Sequence, residues 1–358
     1  MSDAVADICA QRDSGFTYLD SHGIKRSVLD AFEAFLTAPG TLSRPSLIIR
    51  CQVTNGDWNI RVVVDKRISR SRLNGTFLPL TRRLELHDSG RADFFVLVSD
   101  NLYVSEHRQR ECIDYFKNVP FLRCDQSDDD QVSMHTILIP DYFILDGQYA
   151  DDLMAIERAA RAHPFEQRIE VVKWRGSLHG PQYPNDENYW HFPRYRLALV
   201  SREHPAIVDA RLTNYDVEES ESGAALRQRL ERMFGPEADV LPAEAFVPYK
   251  YLISIDGVGA GWKRLPTSLA SGSVVLMQHR WRQFFYPGLK PWVHYVPVAD
   301  DMSDLVERYE WLTTHPSEAK TIAENGLRFA RQILTPIALE TYFLDVVTTC
   351  GELYRPDA

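Results

Sequence analysis

The order of apolar segments predicts an α/β protein with a parallel sheet in each half of the chain. Short apolar runs typical of strands alternate with longer stretches in which apolar residues recur at helical spacing. The chain has 358 residues, which is long for one compact domain, so two domains are expected. A hydrophobic content of 44% and an aromatic content of 11% are typical of a globular protein with buried cores.

The first half of the chain is predicted to contain four strands and two helices. Strands over Ser46–Val53 and Trp58–Val64 are joined through Asn55-Gly56, a pair that favours a tight turn and therefore a hairpin. Phe94–Val98 is a continuous apolar run, as in a strand that is buried on both faces. The remaining segments are a strand at 136–139 and helices at 25–36 and 153–162.

The second half continues this alternation of strands and helices. Strands are predicted at 169–174, 206–212, 249–255, 273–277 and 293–298, and helices at 194–201 and 223–234. Three helices are expected after residue 300. The last of them begins at Thr335-Pro336, where a capping residue precedes a first-turn proline.

Composition excludes several classes of protein. A net charge of −10 argues against a nucleic-acid partner, which would require a basic face. The five cysteines are scattered without a C-x-x-C pair, so neither a zinc site nor a disulfide framework is predicted. The first residues lack the apolar segment of a signal peptide, and no run approaches the roughly 18 apolar residues of a membrane span. A cytoplasmic location is expected, with peripheral association at the inner face of the membrane left open.

Polar residues at predicted strand ends are the first candidates for a binding site, because ligands of parallel sheets lie beyond the carboxyl ends of strands. The sequence offers four such places: Asp100, Arg175-Gly176-Ser177, Asp256-Gly257 and Ser273. We therefore expect these residues to line the ligand site.

The turn at 256–264 is the most unusual of these segments. Gly257, Gly259 and Gly261 permit positive φ angles and close approach of the backbone to a ligand. Lys263 and Arg264 place two cations next to the start of a predicted helix, where free N–H groups attract phosphate. The spacing matches neither the dinucleotide-binding G-x-G-x-x-G pattern nor a phosphate-binding P-loop. These residues alone leave open an anion site or a mere tight connection.

Motifs between residues 174 and 334 resemble glycosyltransferase family 90, which contains protein O-glucosyltransferases, capsule xylosyltransferases and bacterial lipopolysaccharide-core sugar transferases. The most specific is FFYPGLKPWVHYVPV at 284–298, a long run of unusual composition. The others, in order, are WRGS at 174–177, RYRLALVS at 194–201, YKYL at 249–252, DG at 256–257, SGSVV at 271–275 and IAENG at 322–326. The first half of the chain matches the family more loosely.

The resemblance implies a GT-B architecture, in which two Rossmann-like domains face each other across a cleft. Residues 1–165 would form the acceptor-side domain and residues 166–334 the nucleotide-sugar domain, with a C-terminal helix at 335–358 packing back toward the first domain. The implied reaction is transfer of glucose or xylose, with inversion, from a UDP-sugar to a glycan or glycolipid acceptor such as lipopolysaccharide or capsule. No metal ion or other cofactor is expected to be essential.

The resemblance also assigns roles to individual residues. Asp100 would be the general base, since a carboxylate near the acceptor hydroxyl can take its proton. Ser177 and Arg194 would bind the nucleotide, with Arg196 as an alternative to Arg194. Arg264, or alternatively Lys263, would contact the diphosphate. The remaining donor-site candidates are Val258, Gly259, Ala260 and Gly261 through their backbone, Ser273, and Arg175, which could equally hold the loop.

Two other classes of function are weighed against this one. A nicotinamide-dependent oxidoreductase would require G-x-G-x-x-G in its first βαβ unit, and neither half supplies it. A non-catalytic nucleotide- or sugar-binding protein could keep the same fold. The D-x-D pattern at 128–130 is interpreted as a solvated acidic run and not as a metal site.

Overall fold

The computed structural model describes residues 3–83, 91–127, 132–180 and 183–355. The chain divides into two compact units. Unit 1 comprises residues 1–147, 281–288 and 336–358, and unit 2 comprises residues 148–280 and 289–335. The helix Gly147–Ala162, which the sequence alone assigns to the first domain, thus lies almost entirely in unit 2.

Unit 1 is built on a five-stranded mixed sheet. Its strands are β1 (Ile48–Thr54), β2 (Asp57–Val64), β3 (Arg91–Leu97), β4 (Phe121–Arg123) and β5 (Ile137–Leu138), in the spatial order β2-β1-β3-β4-β5. The predicted hairpin is present, with Asn55 and Gly56 at φ angles of 52° and 85°. β1 pairs antiparallel with β3 as well, while β3, β4 and β5 are parallel. The parallel sheet expected in the first half is thus only partly parallel, since β1 pairs antiparallel on both sides.

The helices of unit 1 cover this sheet with apolar faces. They are Asp3–His22, Arg26–Thr37, Gln109–Phe116 and Pro336–Leu353, with three short helical segments at Arg70–Arg72, Leu73–Phe77 and Leu78–Arg83. The C-terminal helix begins at Pro336 as predicted, and it buries Leu339, Phe343, Val346 and Val347 on the face that packs against β3. The helix Asp3–His22 was not predicted, because its charged residues obscure the apolar periodicity. The short strands Ile24–Lys25 and Gln126–Ser127 pair with Tyr354–Arg355 and Trp281–Arg282.

Unit 2 contains an entirely parallel five-stranded sheet. Its strands are β6 (Ile169–Ser177), β7 (Val208–Asn214), β8 (Tyr249–Ile255), β9 (Val274–Gln278) and β10 (Val296–Pro297). Their spatial order is β10-β9-β8-β6-β7, so that the second strand in sequence lies on one side of the first and the later strands lie on the other. This is the 2-1-3-4-5 order of doubly wound α/β folds, and the order reverses between β6 and β8.

Unit 2 contains six α-helices among its described residues, three of which connect successive strands of the sheet. They are Gly147–Ala162, Pro193–Glu203, Glu221–Phe234, Arg264–Ala270, Leu305–Thr314 and Pro316–Ile333. The two units confirm the predicted α/β class, and the GT-B arrangement, in which two such domains face each other across a cleft, stays a prediction. Within the described residues, no single helix is long and apolar enough to cross a membrane, and only Pro316–Ile333 and Pro336–Leu353 taken together reach that length and composition.

Candidate functional site

The candidate site of unit 2 lies where the strand order reverses, between the carboxyl ends of β6 and β8. In doubly wound sheets ligands bind in the crevice at this point. β6 ends at Ser177, and β8 ends at Ile255, immediately before Asp256-Gly257. Two of the four strand ends selected from the sequence therefore lie side by side.

Arg194 links these two strand ends through main-chain carbonyl groups. It lies in the first turn of the helix Pro193–Glu203, and its Nε donates a hydrogen bond to the Asp256 carbonyl at 3.0 Å. Its Nη1 donates to the Ser177 carbonyl at 3.1 Å, and its Nη2 to the Ile255 carbonyl at 3.3 Å. A guanidinium group has five N–H donors, so two of them remain for a ligand.

Glycine at position 257 makes this arrangement possible. A Cβ atom there would lie 2.6 Å from Nη2 of Arg194, so any larger residue would displace the guanidinium group. A Cβ at Gly261 would likewise lie 2.8 Å from Oγ of Ser254. Among the described residues of the turn, positive φ is adopted by Trp262, at 46°, and not by its three glycines. Gly257 and Gly261 thus allow close packing, and the positive φ that the three glycines permit is not used.

Arg264 lies near Arg194, because both guanidinium groups contact the ring of Trp174. The guanidinium carbons of Arg194 and Arg264 are 5.9 Å and 5.8 Å from the ring centroid of Trp174, and that of Arg264 is 5.7 Å from the ring of Phe246. Within the described residues the Arg264 guanidinium makes neither a hydrogen bond nor an ion pair. Burial lowers the pKa of Arg264 to about 10, and the positive charge of Arg194 contributes to this shift. Burial also lowers the pKa of Arg194 to about 10, although Asp256 and Asp216 oppose the shift.

Trp174 explains the glycine of the WRGS motif. The tryptophan is 1% exposed, and a Cβ at Gly176 would lie 2.6 Å from its ring. The motif thus builds an aromatic platform for two cations, and the glycine leaves room for the ring. A cation over the face of a tryptophan is attracted by the electron-rich ring.

The other cations that the sequence offered for the site are engaged elsewhere or lie away from the two strand ends. Nζ of Lys263 lies 2.7 Å from a carboxylate oxygen of Asp152 in the helix Gly147–Ala162. Arg175 donates to the carbonyls of Trp174 and Asp209 and pairs with the Asp209 carboxylate, so that it ties β6 to β7. Among the described residues, Arg196 makes no hydrogen bond to either strand end. The geometry therefore favours Arg194 over Arg196 and Arg264 over Lys263, and gives Arg175 a structural role.

Two other donor-site predictions have different outcomes. The turn 258–261 connects β8 to the helix Arg264–Ala270, with Gly259, Ala260 and Gly261 buried, and its backbone contact with a donor stays a prediction. Ser273 does not lie at a carboxyl end. It precedes β9, and its hydroxyl accepts a hydrogen bond from Arg168 and donates one to the Tyr249 carbonyl at the start of β8. Its predicted place at the site was wrong, because the strand begins after it.

Sequence reasoning missed a polar cluster beside Ser177. Nδ1 of His179 lies 2.8 Å from Oδ2 of Asp216, which follows β7. Burial alone would raise the pKa of Asp216, but hydrogen bonds with His179 and Ser177 and the charge of Arg194 lower it. The pairing joins residues 37 positions apart, so only the order of the strands could have indicated it.

In unit 1, Asp100 follows β3 as predicted, and its side chain is 27% exposed. Its Oδ1 lies 2.5 Å from Nη1 of Arg72, whose guanidinium carbon is 5.4 Å from the ring centroid of Phe143. Arg72 immediately precedes Leu73–Phe77, a π-helical turn of a kind frequent at functional sites. Sequence reasoning missed Arg72, because a partner 28 residues away in an irregular helix has no local signal.

The described residues hold no group of three His, Cys, Asp or Glu side chains that could bind a metal ion. The D-x-D pattern at 128–130 lies outside the described residues.

The family model of glycosyl transferase family 90 matches residues 80–357, which include residues of both units. The chain belongs to glycosyltransferase family 90. The motifs of Trp174, Arg194 and Arg264 all fall within the matched region, and so does Asp100.

Curated proteins similar to the chain include three kinds of protein O-glucosyltransferase. Protein O-glucosyltransferase 2 of Danio rerio is 29% identical over 283 residues, which are 78% of this chain and 51% of the relative. Protein O-glucosyltransferase 3 of Mus musculus is 34% identical over 160 residues, 44% of this chain and 30% of the relative. Protein O-glucosyltransferase 1 of Homo sapiens is 28% identical over 200 residues, 56% of this chain and 45% of the relative. The chain thus spans about half or less of the length of these relatives.

Among solved structures, HepE of Anabaena in complex with UDP-glucose superposes on the chain with a TM-score of 0.43. The identity is 10%, and the superposition covers 68% of each chain.

Proposed function

We propose that this family 90 protein is an inverting glycosyltransferase that moves glucose or xylose from a UDP-sugar to a hydroxyl group of a glycan or glycolipid, such as lipopolysaccharide or capsule. In this proposal Asp100 is the general base, and Arg194 and Arg264 stabilise the departing UDP. No metal ion is assigned a role.

The observation that carries the proposal is the state of Arg264. Its guanidinium group is partly buried and lies over the ring of Trp174, and no oxygen of the described residues accepts a hydrogen bond from it. A buried charge is costly unless a partner compensates it. A diphosphate would supply that partner, because guanidinium groups match phosphate oxygens in geometry and charge.

The same cations suit the chemical step. When the acceptor oxygen bonds to the anomeric carbon of the sugar, the bond from that carbon to the β-phosphate oxygen breaks and negative charge collects on UDP. Fixed donors aimed at this charge lower the barrier in a water-poor site. Arg194 is fixed by three main-chain carbonyl groups before any ligand arrives, so it requires little rearrangement.

The base has to accept the proton that the acceptor hydroxyl loses. Asp100 is partly exposed, and its contact with Arg72 orients the carboxylate. A direct displacement with one base inverts the configuration at the anomeric carbon, which is the outcome we expect here.

The names of the relatives favour glucose as the transferred sugar. They also raise a protein acceptor as the alternative to a glycan. A donor screen with UDP-glucose and UDP-xylose, followed by transfer assays on both kinds of acceptor, distinguishes these cases.

The test of the catalytic assignment is Asp100→Asn, with Asp65→Asn as the matched control. Asp65 is an ion-paired aspartate of the same unit, but it lies on the surface with Arg70. We expect Asp100→Asn to lower turnover by about 10²–10⁴-fold, the usual contribution of a general base, and to leave UDP affinity within a few-fold of wild type. Asp65→Asn should retain turnover.

Two results would contradict the proposal. Asp100→Asn with nearly full turnover would exclude Asp100 as the base. A wild-type protein that binds UDP-sugars, measured by protection against thermal unfolding, but neither hydrolyses nor transfers the sugar would favour the non-catalytic binding protein.

A further inference from the structure

Asp216 is a polar residue of unit 2 to which the proposed reaction gives no role. It follows β7, the second strand of the parallel sheet in sequence order. Its backbone has a φ angle of 50°, in the left-handed region that few residues other than glycine adopt. The side chain of Asn214 accepts a hydrogen bond from the Asp216 N–H at 2.8 Å and so holds this turn. Residues in strained backbone conformations often occur at binding sites, so the Asp216 side chain is a candidate ligand contact.

The Asp216 carboxylate is held in one orientation and kept ionised. Oδ2 lies 2.8 Å from Nδ1 of His179, and the side chain is 22% exposed. Although burial acts in the opposite direction, His179, Ser177 and Arg194 together lower its pKa. An ionised carboxylate only accepts hydrogen bonds, so its ligand must offer donors and cannot be a phosphate.

The position of Asp216 relative to Arg194 indicates which donors these are. Arg194 lies between the ends of the first and third strands, whereas Asp216 follows the second strand. In doubly wound nucleotide-binding sheets, the diphosphate lies at the first strand, and an acidic residue from farther along the chain accepts a hydrogen bond from the ribose 2′-hydroxyl. Vicinal ribose hydroxyls present two such donors.

We propose that Asp216 binds the ribose hydroxyls of the UDP moiety and that His179 is the residue that positions its carboxylate. This inference depends on the proposed function, because it assigns the ribose of the same donor whose diphosphate Arg194 and Arg264 would bind. The uracil ring is a poorer match, because carbonyl oxygens flank its N3–H and would repel a carboxylate.

The test compares the affinity of UDP with that of 2′-deoxy-UDP by isothermal titration calorimetry. The wild type should bind UDP about 10-fold or more tightly than 2′-deoxy-UDP, since losing a hydrogen bond to a charged group has an effect of that order. Asp216→Asn should bind UDP about 10-fold more weakly and should discriminate poorly between the two ligands. His179→Gln should lose part of the discrimination, because the carboxylate is no longer held.

Controls separate this effect from misfolding. Asparagine also tolerates a left-handed backbone, so Asp216→Asn should keep the wild-type melting temperature. Glu219→Gln, an exposed acid of the same loop, makes the same change of charge and should leave both affinities unaltered.

The possible outcomes are distinct. If the wild type binds UDP and Asp216→Asn keeps the wild-type preference for UDP over 2′-deoxy-UDP, the ribose assignment is overturned and the proposed function stands. If Asp216→Asn instead changes the preference for UDP over CDP, the carboxylate contacts the nucleobase and not the ribose. The ribose assignment is then also overturned. If the wild type binds no UDP, both proposals fail.

Discussion

Arg50 in unit 1 is a buried arginine and Arg264 in unit 2 a partly buried one, and they differ in what compensates their charge. Arg50 is 2% exposed and forms ion pairs with Asp93, Asp30 and Glu33. Burial alone would lower its pKa, yet hydrogen bonds and charges from these carboxylates raise it. For Arg264 no carboxylate of the described residues acts in this way, and burial lowers its pKa.

Arg168 shows why a lowered pKa is not sufficient to identify a binding site. Burial lowers its pKa to about 10 as well. However, its Nε, Nη1 and Nη2 atoms donate hydrogen bonds to the His163 carbonyl, the Ser273 hydroxyl and the Ser271 carbonyl, respectively. Arg168 is therefore a structural tie at the amino ends of β8 and β9. Arg264 differs from both arginines because the described chain supplies neither charge nor hydrogen-bond acceptors for it.

The comparison predicts a large loss of stability for Arg50→Met. The substitution removes the cation that pairs with the buried Asp93 carboxylate, and breaking a buried ion pair in this way typically costs about 3–5 kcal/mol. Urea denaturation should detect this change as a lower midpoint. Donor affinity, measured where the variant is still folded, should match that of the wild type.

The control for this prediction is Arg70→Met, which breaks the exposed pair with Asp65. Such surface pairs contribute about 0–1 kcal/mol. If Arg50→Met were no more destabilising than this control, the network around Arg50 would have no structural importance and the contrast with Arg264 would be lost.

Arg264→Met should have the opposite effects. A desolvated cation without a protein partner is removed, so stability should be unchanged or slightly higher. UDP affinity should fall about 100-fold, which corresponds to the loss of charge-assisted hydrogen bonds to phosphate. Titration of UDP by calorimetry, together with urea denaturation of the unliganded protein, measures both quantities.

Lys263→Met is the matched control, since this neighbouring cation is already paired with Asp152. We expect its effect on UDP affinity to be several-fold at most. If Lys263→Met loses more UDP affinity than Arg264→Met, Lys263 and not Arg264 contacts the diphosphate. If neither variant loses affinity, the diphosphate does not bind at this turn.

The sequence predicted most elements of unit 2 well, because strands such as β8 and β9 are buried apolar runs. It also found the right strand ends at Ser177 and Asp256. Motifs correctly singled out the glycines, but for a different reason: Gly176 leaves room for Trp174, and Gly257 leaves room for Arg194. Steric requirements of this kind depend on which side chain lies opposite, and that is known only after folding.

Other features could not be predicted from local patterns. The pairs Arg72–Asp100 and His179–Asp216 join residues 28 and 37 positions apart, with no periodic signal between them. The antiparallel pairing of β1 with β3 likewise had no local signal, unlike the hairpin of β1 with β2. Ser273 was misplaced because it stands at the amino end of β9, whereas ligands of parallel sheets lie beyond the carboxyl ends.

Asp141 in unit 1 is a buried acidic residue that can be compared with these arginines. Its Oδ1 accepts hydrogen bonds from the backbone N–H groups of Phe143 and Ile144, and its Oδ2 accepts one from Nε2 of Gln283. No cation pairs with it in the described chain. Burial raises its pKa to about 6, the charge of Asp125 adds to the shift, and the three hydrogen bonds oppose it.

The pH dependence of stability follows from this direction. Between about pH 4 and pH 6 the folded state binds the Asp141 proton more tightly than the unfolded state does, so this group's contribution to stability falls as the pH rises through that range. Above pH 6 the ionised carboxylate remains buried, and the penalty is constant. Asp141→Asn removes the charge, and the side-chain oxygen can still accept from Phe143 and Ile144.

An asparagine at position 141 is also compatible with Gln283, the third hydrogen-bond partner of Asp141. Oε1 of Gln283 has no hydrogen-bond partner in the described chain, so a flipped amide could accept from the new NH₂ group. We expect Asp141→Asn to be more stable than the wild type by about 1–3 kcal/mol at pH 7.5, since one pKa unit corresponds to about 1.4 kcal/mol. The advantage should shrink toward zero as the pH falls from 6 to 4, measured by urea denaturation across this range. A variant that is less stable than the wild type by the same amount at every pH would show that the hydrogen bonds fully compensate the buried carboxylate, and that Arg264, not Asp141, is where the protein leaves a charge uncompensated.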